Sequence, residues 1–584
     1  MNRASRIKDS SATVGPSWLS SAIFYELYPQ SFLDTNGDGI GDLPGVIQKL
    51  DYIKSLGCNA VWLNPCFVSP MGDAGYDVAD FYHVDPRYGT DADLVLLFTE
   101  AHARGMKVCL DLVAGHTSTA HPWFQASAKA KRNKYSDWYI WTNSAWERPA
   151  PPKTAPAAPG IPATIVQAMS SAPLQLVRGY GERDGGYVAN YFYFQPALNY
   201  GFAHPDPERP WQLPVSHPAP QAVRREMKKI IRHFLDLGCD GFRVDMAFSL
   251  VKGDSDFRET MLLWRDMRAM FDRDYPECAL ISEWSDPEKA ITAGFHMDFL
   301  IHLGHPGYTS LFRAEPARNR SPSADKKAAS YFDRRGAGDV RLFLDYYLAQ
   351  LAATRGLGHI SVPTGNHDII RLAHGRTLAE QKVAMAFFYT LPGIPYLYNG
   401  DEIGMDYARG LTSVEGAYTR TGSRTPMQWD SSANAGFSTA PKEKLYLPVT
   451  SKKRATTVAG QDRDPASLLN FLRALATLRH SSPALQADGA FTPIYAQPRK
   501  YPFAYLRTHG ADTFLVALNP SEKSVAVTLE LVGDFTPQLA AGATLRRVAR
   551  RLRLTMGATS YGIFRLSRTG EIPVAAHAPA TPAP

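Results

Sequence analysis

The sequence predicts an α/β fold whose main domain is a (β/α)8 barrel, followed by a small antiparallel β-domain. Short apolar, β-branched runs alternate along the chain with amphipathic helical stretches, as a barrel of parallel strands and crossover helices requires. This alternation alone also allows a doubly wound sheet. The strand-like runs span 22–32, 59–65, 107–113, 241–247, 278–284, 295–302, 359–368 and 393–403.

Two predicted helices follow early strands. In 43–57, apolar residues recur at helical spacing, and Gly57 stands where a helix C-terminus is expected. A second amphipathic stretch spans 93–106. Near the end of the barrel, 464–480 predicts a closing helix with Asp464 as its cap and Pro465 at its first position.

The connection between the third and fourth predicted strands is too long for a loop, which indicates an inserted subdomain. Its centre, 149–162, is rich in Pro and Ala and is expected to be irregular. After the barrel, alternating strands at 503–510, 513–520 and 524–531 predict the antiparallel domain. The expected organisation is a disordered extension (1–16), a barrel in two parts (17–116 and 201–485), the insertion (117–200), a β-sandwich domain (486–569) and a disordered tail (570–584).

Composition indicates a globular protein, since 45% of the 584 residues are hydrophobic and 11% are aromatic. The N-terminus has no apolar signal region, and no run reaches the roughly 18 apolar residues of a membrane span. We therefore expect a cytoplasmic protein without a membrane or nucleic-acid partner. The single basic cluster is expected on a solvated face of the β-domain; it comprises Arg546, Arg547, Arg550, Arg551 and Arg553.

The cysteines show no metal-binding spacing and are expected to be buried reduced thiols. They are Cys58, Cys66, Cys109, Cys239 and Cys278.

Three carboxylates stand where predicted strands end: Asp245 in GFRVDMA, Glu283 in ALISEW and Asp368 in SVPTGNHD. An arginine, Arg243, lies two residues before the first, and His367 directly precedes the third. Parallel strands deliver such residues to one rim. The set predicts a site that stabilises positive charge at carbon.

These segments resemble glycoside hydrolase family 13, the α-amylase superfamily, and run in that family's order from about Ile23 to about Leu485. The resemblance favours the barrel over the doubly wound sheet, and it implies that the insertion is the family's domain B, which overhangs the active-site face. The other matching segments are DLVAGHTS (111–118), QPALN (195–199), LPGIPYLYNGDEIGM (391–405) and RTPMQWD (424–430).

The resemblance implies that Asp245 is the nucleophile, Glu283 the acid/base and Asp368 the third acid, which holds sugar hydroxyls. Retaining glycosidases place two such carboxyl groups about 5 Å apart. Arg243 shares the strand face of Asp245 and is expected to keep it ionised. We further hypothesise that Trp284 raises the pKa of Glu283 as an apolar neighbour.

The same resemblance implies sugar-binding roles for further residues. His367 and His116 are expected to hydrogen-bond the reacting ring, while Asp73 and Tyr76 form the wall of its subsite. An acid at the position of Asp73 is typical of exo-acting glucosidases. The remaining expected contact, at the far rim, is Arg424.

The sequence departs from the family pattern in two places. Gly115 replaces an Asn that commonly braces the third strand and domain B near a calcium site, so its absence argues against calcium there and predicts a looser loop. Met246, directly after the predicted nucleophile, occupies a position that varies with linkage preference, and it leaves α-1,4 and α-1,6 open.

A loop after the first strand predicts a structural metal. In DTNGDGIGD, potential oxygen ligands are spaced two apart, as in the first nine positions of an EF-hand loop, and Gly39 stands at the tight turn. Position 12 would be Gly45 rather than Glu, so it is not an EF-hand. We expect Ca²⁺ or Mg²⁺, and no organic cofactor, on Asp34, Asn36, Asp38, Ile40 and Asp42.

The expected activity is that of a retaining α-glycosidase acting on short α-glucosides or malto-oligosaccharides through a β-glucosyl ester. A transglucosylase or isomerase, of the trehalose-forming or sucrose-isomerising type, is the first alternative, since it would differ only in the group that accepts the sugar. Domain B and the loop 404–424 would decide between them. An endo-acting α-amylase and a non-enzymatic partner subunit are less favoured.

Overall fold

Eight parallel strands form the barrel of this protein in a computed structural model. The structure describes residues 15–148, 173–300, 306–313, 330–336, 338–415, 419–450 and 457–567. The predicted extension up to residue 14, the segment 149–162 and the predicted tail lie outside these residues. Numbered along the whole chain, the barrel strands are β1 (Phe24–Leu27), β2 (Ala60–Leu63), β5 (Lys107–Leu112), β8 (Gly241–Val244), β9 (Ala279–Ser282), β10 (Met297–Phe299), β11 (His359–Ser361) and β12 (Tyr396–Tyr398).

The strands lie in the order β11-β10-β9-β8-β5-β2-β1-β12, and every neighbouring pair is parallel. The two end strands also meet. The amide of Ile394 donates to the carbonyl of Ile360, and the amide of Thr364 donates to the carbonyl of Tyr396, each at 3.1 Å. These bonds close the sheet, so the predicted (β/α)8 barrel is confirmed.

The barrel interior is filled by side chains that alternate with outward-facing ones along each strand. Phe24 stacks on Tyr396 with ring centroids 4.3 Å apart, and Trp62 packs near Phe299 at 5.5 Å. These residues belong to one buried cluster with Cys109, Ile281 and other small apolar side chains. Above this apolar layer the inward positions become polar, and they build the candidate site.

Helices cover the outside of the barrel. The predicted helix 43–57 is two short helices, because Lys49 leaves the helical region at φ −105° and ψ 8°. The closing helix begins at Leu468 rather than near Asp464, because the Ser467 side chain caps it by accepting the amide of Asn470. The helices are α1 (Leu43–Gln48), α2 (Leu50–Ser55), α3 (Asp91–Ala103), α4 (Pro122–Ser127), α5 (Pro218–Asp236), α6 (Arg258–Asp274), α7 (Pro287–Thr292), α8 (Pro306–Phe312), α9 (Arg341–Thr354), α10 (Leu378–Thr390), α11 (Val458–Asp462) and α12 (Leu468–His480).

Two hairpins lie on the face where the barrel strands end. The first joins β3 (Phe67–Val68) to β4 (Asp80–Val84), and the second, within domain B, joins β6 (Gln175–Val177) to β7 (Tyr187–Ala189). A bridge between His116 and Ala197 ties domain B to the end of the third barrel strand. Domain B therefore stands next to the residues that follow β5.

The C-terminal domain is one antiparallel sheet in the order β13-β14-β15-β18-β16, with β17 paired to β18. Because β18 pairs with β15 through its second half and with β16 through its first half, the predicted sandwich is a single sheet whose two parts share an apolar core. The arginine cluster lies exposed near the hairpin turn, as expected. The strands are β13 (Ala490–Tyr495), β14 (Phe503–His509), β15 (Asp512–Asn519), β16 (Val525–Leu529), β17 (Phe535–Val548) and β18 (Arg551–Leu566).

All five cysteines are free thiols; four are buried and Cys278 is half-buried. Within the described part of the chain, no helix combines the length and apolar character needed to cross a membrane.

Barrel closure makes one glycine essential. Gly393 has φ +90°, and a Cβ there would lie 1.9 Å from the carbonyl oxygen of Ile360, so we expect Gly393→Ala to lower the free energy of unfolding by more than about 3 kcal/mol. Gly356 has φ +73° with no atom within 4 Å, so Gly356→Ala should cost only about 1 kcal/mol of backbone strain. Urea unfolding followed by tryptophan fluorescence measures both, and equal losses would contradict the argument.

Candidate active site

The guanidinium of Arg243 holds three carboxylates together where β5, β8 and β9 end. Its Nη1 lies 2.8 Å from Asp111 Oδ1 and 3.1 Å from Asp245 Oδ1, and its Nη2 lies 2.7 Å from Glu283 Oε2. Asp111 and Arg243 are register partners on adjacent strands, which explains their contact. The two predicted catalytic carboxylates are thus brought to neighbouring nitrogens of one buried side chain.

The backbone after each strand directs these carboxylates. Asp245 and Glu283 directly follow the last residues of β8 and β9, while Asp368 lies in the loop after β11, beyond the short strand that the sequence predicted as 359–368. Met246 adopts φ +42°, and its amide donates to Glu283 Oε2 at 3.0 Å. Ser285 is also left-handed, at φ +61°. Such non-glycine conformations cost on the order of 1–3 kcal/mol and concentrate at functional sites.

The charges of this cluster do not balance, since one guanidinium faces three carboxyl groups. Burial and the neighbouring Glu283 raise the pKa of Asp245, while Arg243 opposes them, and burial raises the pKa of Asp111 to about 6. Burial and Glu283 together outweigh Arg243, so they act against the expectation that this guanidinium keeps Asp245 ionised.

One oxygen of Asp245 remains available to a substrate. Oδ1 is held by Arg243, whereas no hydrogen bond to Oδ2 is formed by the residues that the structure describes. The side chain is 11% exposed, so it can be reached from the open end of the barrel.

The hypothesis about Trp284 is wrong in its geometry. The indole ring packs against Phe257 at 5.4 Å and Phe295 at 6.3 Å, among residues on the helix side of the sheet. The side chain after Glu283 points away from the barrel interior because neighbouring side chains alternate. The turn is held instead by the buried Asp298, which accepts the amide of Trp284 at 3.0 Å.

Asp368 is held by two arginines from the loop after β12. Its Oδ1 lies 3.0 Å from Arg420 Nη1 and 2.8 Å from Arg424 Nη2, and its Oδ2 lies 3.5 Å from His367 Nε2. Its side chain is 23% exposed. The third predicted acid therefore borders the same opening as Asp245.

Asp73, in the loop after β3, contacts residues from two other segments, namely domain B and the loop after β12. Arg420 Nη2 binds its Oδ1, and Gln195 of domain B donates to its Oδ2 at 2.8 Å. The guanidinium of Arg420 lies 5.8 Å from the ring of Phe192, also in domain B. Burial raises the pKa of Asp73 to about 6, although both arginines oppose this shift.

The predicted rim position of Arg424 is wrong, because the side chain is 1% exposed. Its Nε donates to the carbonyl of His367 at 2.9 Å, and its Nη1 binds Glu415, so it forms the floor below Asp368. The residue that reaches Asp73 is Arg420, which the sequence analysis missed. Its spacing of four residues before Arg424, which places two side chains on one helical face, was the available signal.

Tyr76 and His367 form a stacked pair, with ring centroids 5.3 Å apart and planes at 14°. Tyr76 Oη lies 2.9 Å from Asp111 Oδ2 and 2.9 Å from His367 Nε2. Tyr76 thus joins the cluster around Arg243 to the loop that carries Asp368.

Both ring nitrogens of His116 are hydrogen-bonded to other residues of the protein. Its Nε2 lies 3.0 Å from the carbonyl of Tyr76, and Asn190 Nδ2 donates to its Nδ1 at 3.2 Å. Burial lowers the pKa of His116 to about 4, so the ring is neutral with its hydrogen on Nε2. Contact with a sugar ring stays a prediction for this residue.

At Gly115, side chains from other segments occupy the space that a side chain at this position would need. A Cβ at Gly115 would lie 2.9 Å from Asn190 Nδ2 and 3.2 Å from Ser249 Oγ. Lys252 Nζ donates to Asn190 Oδ1 at 2.8 Å and to the carbonyl of Ser249. A half-buried lysine therefore ties domain B to the loop after β8, where the sequence predicted a looser connection.

The turns of the predicted metal loop are stabilised by hydrogen bonds between its own residues. Asp34 accepts the amides of Asn36, Gly37 and Gly39, and Asp42 caps α1 by accepting the amide of Gly45. Its donors are hard oxygens of the kind that Ca²⁺ prefers. Within the described residues, no three His, Cys, Asp or Glu side chains converge as a metal-binding group.

Known families match most of the chain. Residues 26–158 and 212–488 match the α-amylase catalytic domain, and residues 491–563 match the maltogenic amylase C-terminal domain. An isomaltulose synthase from Erwinia rhapontici NX5, solved with D-glucose, has a TM-score of 0.74 at 24% identity, over 95% of this chain and all of that one. That likeness supports the fold.

Curated relatives of two kinds align over nearly the whole chain. An oligo-1,6-glucosidase of Heyndrickxia coagulans is 30% identical over 87% of this chain and 93% of its own length. A trehalose synthase/amylase of Mycobacterium tuberculosis is 31% identical over 89% of this chain and 85% of its own. With the barrel, the carboxylate cluster and these matches together, the chain belongs to the α-amylase family and is an α-glucosidase-like enzyme of glycoside hydrolase family 13.

Proposed function

We propose that this enzyme is a retaining α-glucosidase that removes single glucosyl units from the non-reducing ends of short α-glucosides. The observation that carries the proposal is the pair of carboxyl groups bound to neighbouring nitrogens of Arg243. Asp245 offers the free Oδ2 as nucleophile, and Glu283 stands beside it as acid and then base. As Asp245 attacks the anomeric carbon, the glycosidic bond breaks and Glu283 gives its proton to the leaving oxygen, which leaves a β-glucosyl ester on Asp245. Glu283 then takes a proton from water, which attacks the anomeric carbon and releases glucose and the free Asp245 carboxylate.

Exo action is supported by the far wall of the pocket. Asp73, Arg420 and Gln195 come from three separate segments and bind one another. A wall of this kind stops a longer chain beyond the terminal sugar. Its carboxylates and guanidinium also match the hydroxyl groups of a glucosyl ring, because such rings offer donors and acceptors in one plane.

The positive charge that develops on the ring in the transition state meets a surplus of carboxylate. Three guanidinium groups, those of Arg243, Arg420 and Arg424, neutralise only part of the charge of the six carboxyl groups they bind, which are Asp73, Asp111, Asp245, Glu283, Asp368 and Glu415. Fixed charges in a buried site stabilise a transition state without reorganisation of solvent.

Azide rescue should separate the two catalytic roles. With p-nitrophenyl α-glucoside, whose leaving group needs no acid, Glu283→Ala plus azide should give α-glucosyl azide, because azide attacks the β-ester. Asp245→Ala plus azide should give β-glucosyl azide, because azide takes the place of the carboxylate. Both variants without azide should lose at least about 10³-fold in turnover.

The matched control is Asp286→Asn, since Asp286 caps α7 outside the carboxylate cluster and should leave turnover near the wild-type rate. The anomeric configuration of the azides is read by NMR. Near-normal turnover by Asp245→Ala, or the same azide from both variants, would reject the assigned roles.

Transfer to a second sugar is the other candidate function, and an aromatic pair in domain B favours testing it. Phe192 and Phe194 stack at 5.3 Å in domain B, next to Arg420, and an aromatic rim can bind a sugar face. The relatives include both hydrolysing and sugar-transferring enzymes.

The products formed from maltose should distinguish hydrolysis from transfer. We expect glucose to accumulate alone in a time course resolved by chromatography, because the hydrolytic reading needs no acceptor site. A new disaccharide that precedes glucose would instead establish a transglucosylase. Addition of free glucose controls for late reverse reaction.

We also propose that the loop of Asp34, Asn36, Asp38, Ile40 and Asp42 binds a structural Ca²⁺ or Mg²⁺. Its hard oxygen donors support this, and the ion would stabilise the connection between β1 and α1. It has no part in the reaction.

Chelation should therefore lower the thermal unfolding midpoint and release about one equivalent of divalent metal, measured by calorimetry and elemental analysis. Asp38→Ala should lower the metal content in the same way, whereas Asp345→Asn, on the exposed side of α9, should not. Unchanged metal content and midpoint after prolonged chelation would exclude the ion.

A further inference from the structure

Glu26 is a fully buried carboxyl group directly below the candidate active site. It points into the barrel from β1, in register with Trp62 on one side and Tyr398 on the other, and its side chain is 0% exposed. Oε1 lies 2.9 Å from Nδ1 of His367. Oε2 has no hydrogen-bond partner among the described residues. An ionised carboxylate with one bare oxygen in such a place would be costly.

The hydrogen bonds that join His367 to Tyr76 and Tyr76 to Asp111 determine which atom donates in each bond. Asp111 is paired with Arg243, so it acts as an acceptor, and Tyr76 can give its single phenolic proton to Asp111 Oδ2 at 2.9 Å. The Tyr76 oxygen then accepts from His367 Nε2, also at 2.9 Å. The hydrogen of a neutral His367 is therefore on Nε2, and its Nδ1 must accept.

Two groups face that Nδ1, namely Glu26 Oε1 at 2.9 Å and Asn64 Nδ2 at 3.2 Å. If Glu26 were ionised, its Oε1 and the unprotonated Nδ1 would both be acceptors, and two lone pairs would face each other with no hydrogen between them. A protonated Glu26 would instead donate to it, and the chain from Glu26 to Arg243 would then have a donor for every acceptor.

We propose that Glu26 is a positioning residue whose carboxyl proton is donated to His367 Nδ1, which keeps the His367 hydrogen on Nε2, where it is donated to Tyr76. This inference depends on the proposed glucosidase function. Loss of the proton from Glu26 would move the imidazole hydrogen to Nδ1. His367 Nε2 would then become an acceptor and could no longer donate to Tyr76, which lies in the predicted sugar-binding wall.

The electrostatic environment agrees with this assignment. Burial raises the pKa of Glu26 well above its ordinary value, and burial lowers the pKa of His367 well below its own. Burial thus favours the neutral form of each group. The titratable and charged groups that face the pair from all surrounding elements are Asp111, Asp368, Arg243, Arg420, Arg424, Tyr28, Tyr76, Tyr308, Tyr396 and Tyr398.

The sign of the pH effect follows directly. Because burial raises the folded-state pKa of Glu26, its protonated form persists to higher pH than that of an exposed carboxyl group and is lost as pH rises through the raised pKa. The inference thus predicts that Glu26 contributes to the alkaline limb of kcat, where its ionisation switches the tautomer of His367.

Three variants test this with p-nitrophenyl α-D-glucopyranoside. Glu26→Gln can donate to Nδ1 through its amide, so kcat should stay within about threefold of wild type, and the alkaline limb should move to higher pH. Glu26→Met has similar size and no donor, so kcat should fall on the order of tenfold to a hundredfold. Glu402→Gln removes another fully buried acid, one that binds Tyr25 and Tyr52, and should leave the alkaline limb in place.

An infrared difference spectrum between wild type and Glu26→Gln at neutral pH gives a direct reading that does not need Glu26→Met to fold. It should show the carbonyl stretch of a protonated carboxyl in the wild type only. A carboxylate signal instead, an unchanged alkaline limb in Glu26→Gln, or full kcat in a folded Glu26→Met would each overturn the inference. Absence of any turnover by the wild type would overturn the proposed function instead.

Discussion

The arrangement of the active site depends on the buried guanidinium of Arg243. It binds Asp111, Asp245 and Glu283 at once, and its plane lies 4.9 Å from the ring of Trp62. Three carboxyl groups could not be held this close inside a barrel without a cation, since removal of one partner from a buried ion pair typically costs about 3–5 kcal/mol. The carboxylate cluster is therefore also a structural element of the barrel end.

The barrel strands carry the inward-facing polar residues of the site, and the loops carry the residues that surround it. Inward positions of β1, β5 and β8 carry Glu26, Asp111 and Arg243 in one polar layer above the apolar interior. The loop after β3 carries Asp73, and the loops after β7 and β12 add the groups that bind Asp73 and Asp368. Strained residues such as Met246 lie at the junction of the two, because a strand end must turn sharply to present its carboxylate.

Domain B is fastened to this framework by polar contacts that cross between segments. Lys252 joins Asn190 to the loop after β8, and Asn190 in turn fixes His116, which binds the carbonyl of Tyr76. The attachment of domain B therefore depends on a half-buried lysine beside Gly115. The same contacts couple domain B to Tyr76.

The strand pattern, the later antiparallel strands and the three carboxylates were predictable from the sequence, because hydrophobic period and motif residues are local properties of a chain, and the family resemblance favoured a closed barrel. The folded structure was needed to find that Arg424 is buried below Asp368, that Trp284 packs on the helix side of the sheet, and that Glu26 lies beneath His367. Burial depth and contacts between residues hundreds of positions apart arise when the sheet closes, and no local pattern records them. The sequence also could not distinguish Ser467 from Asp464 as the cap of the closing helix, because both residue types are good N-caps.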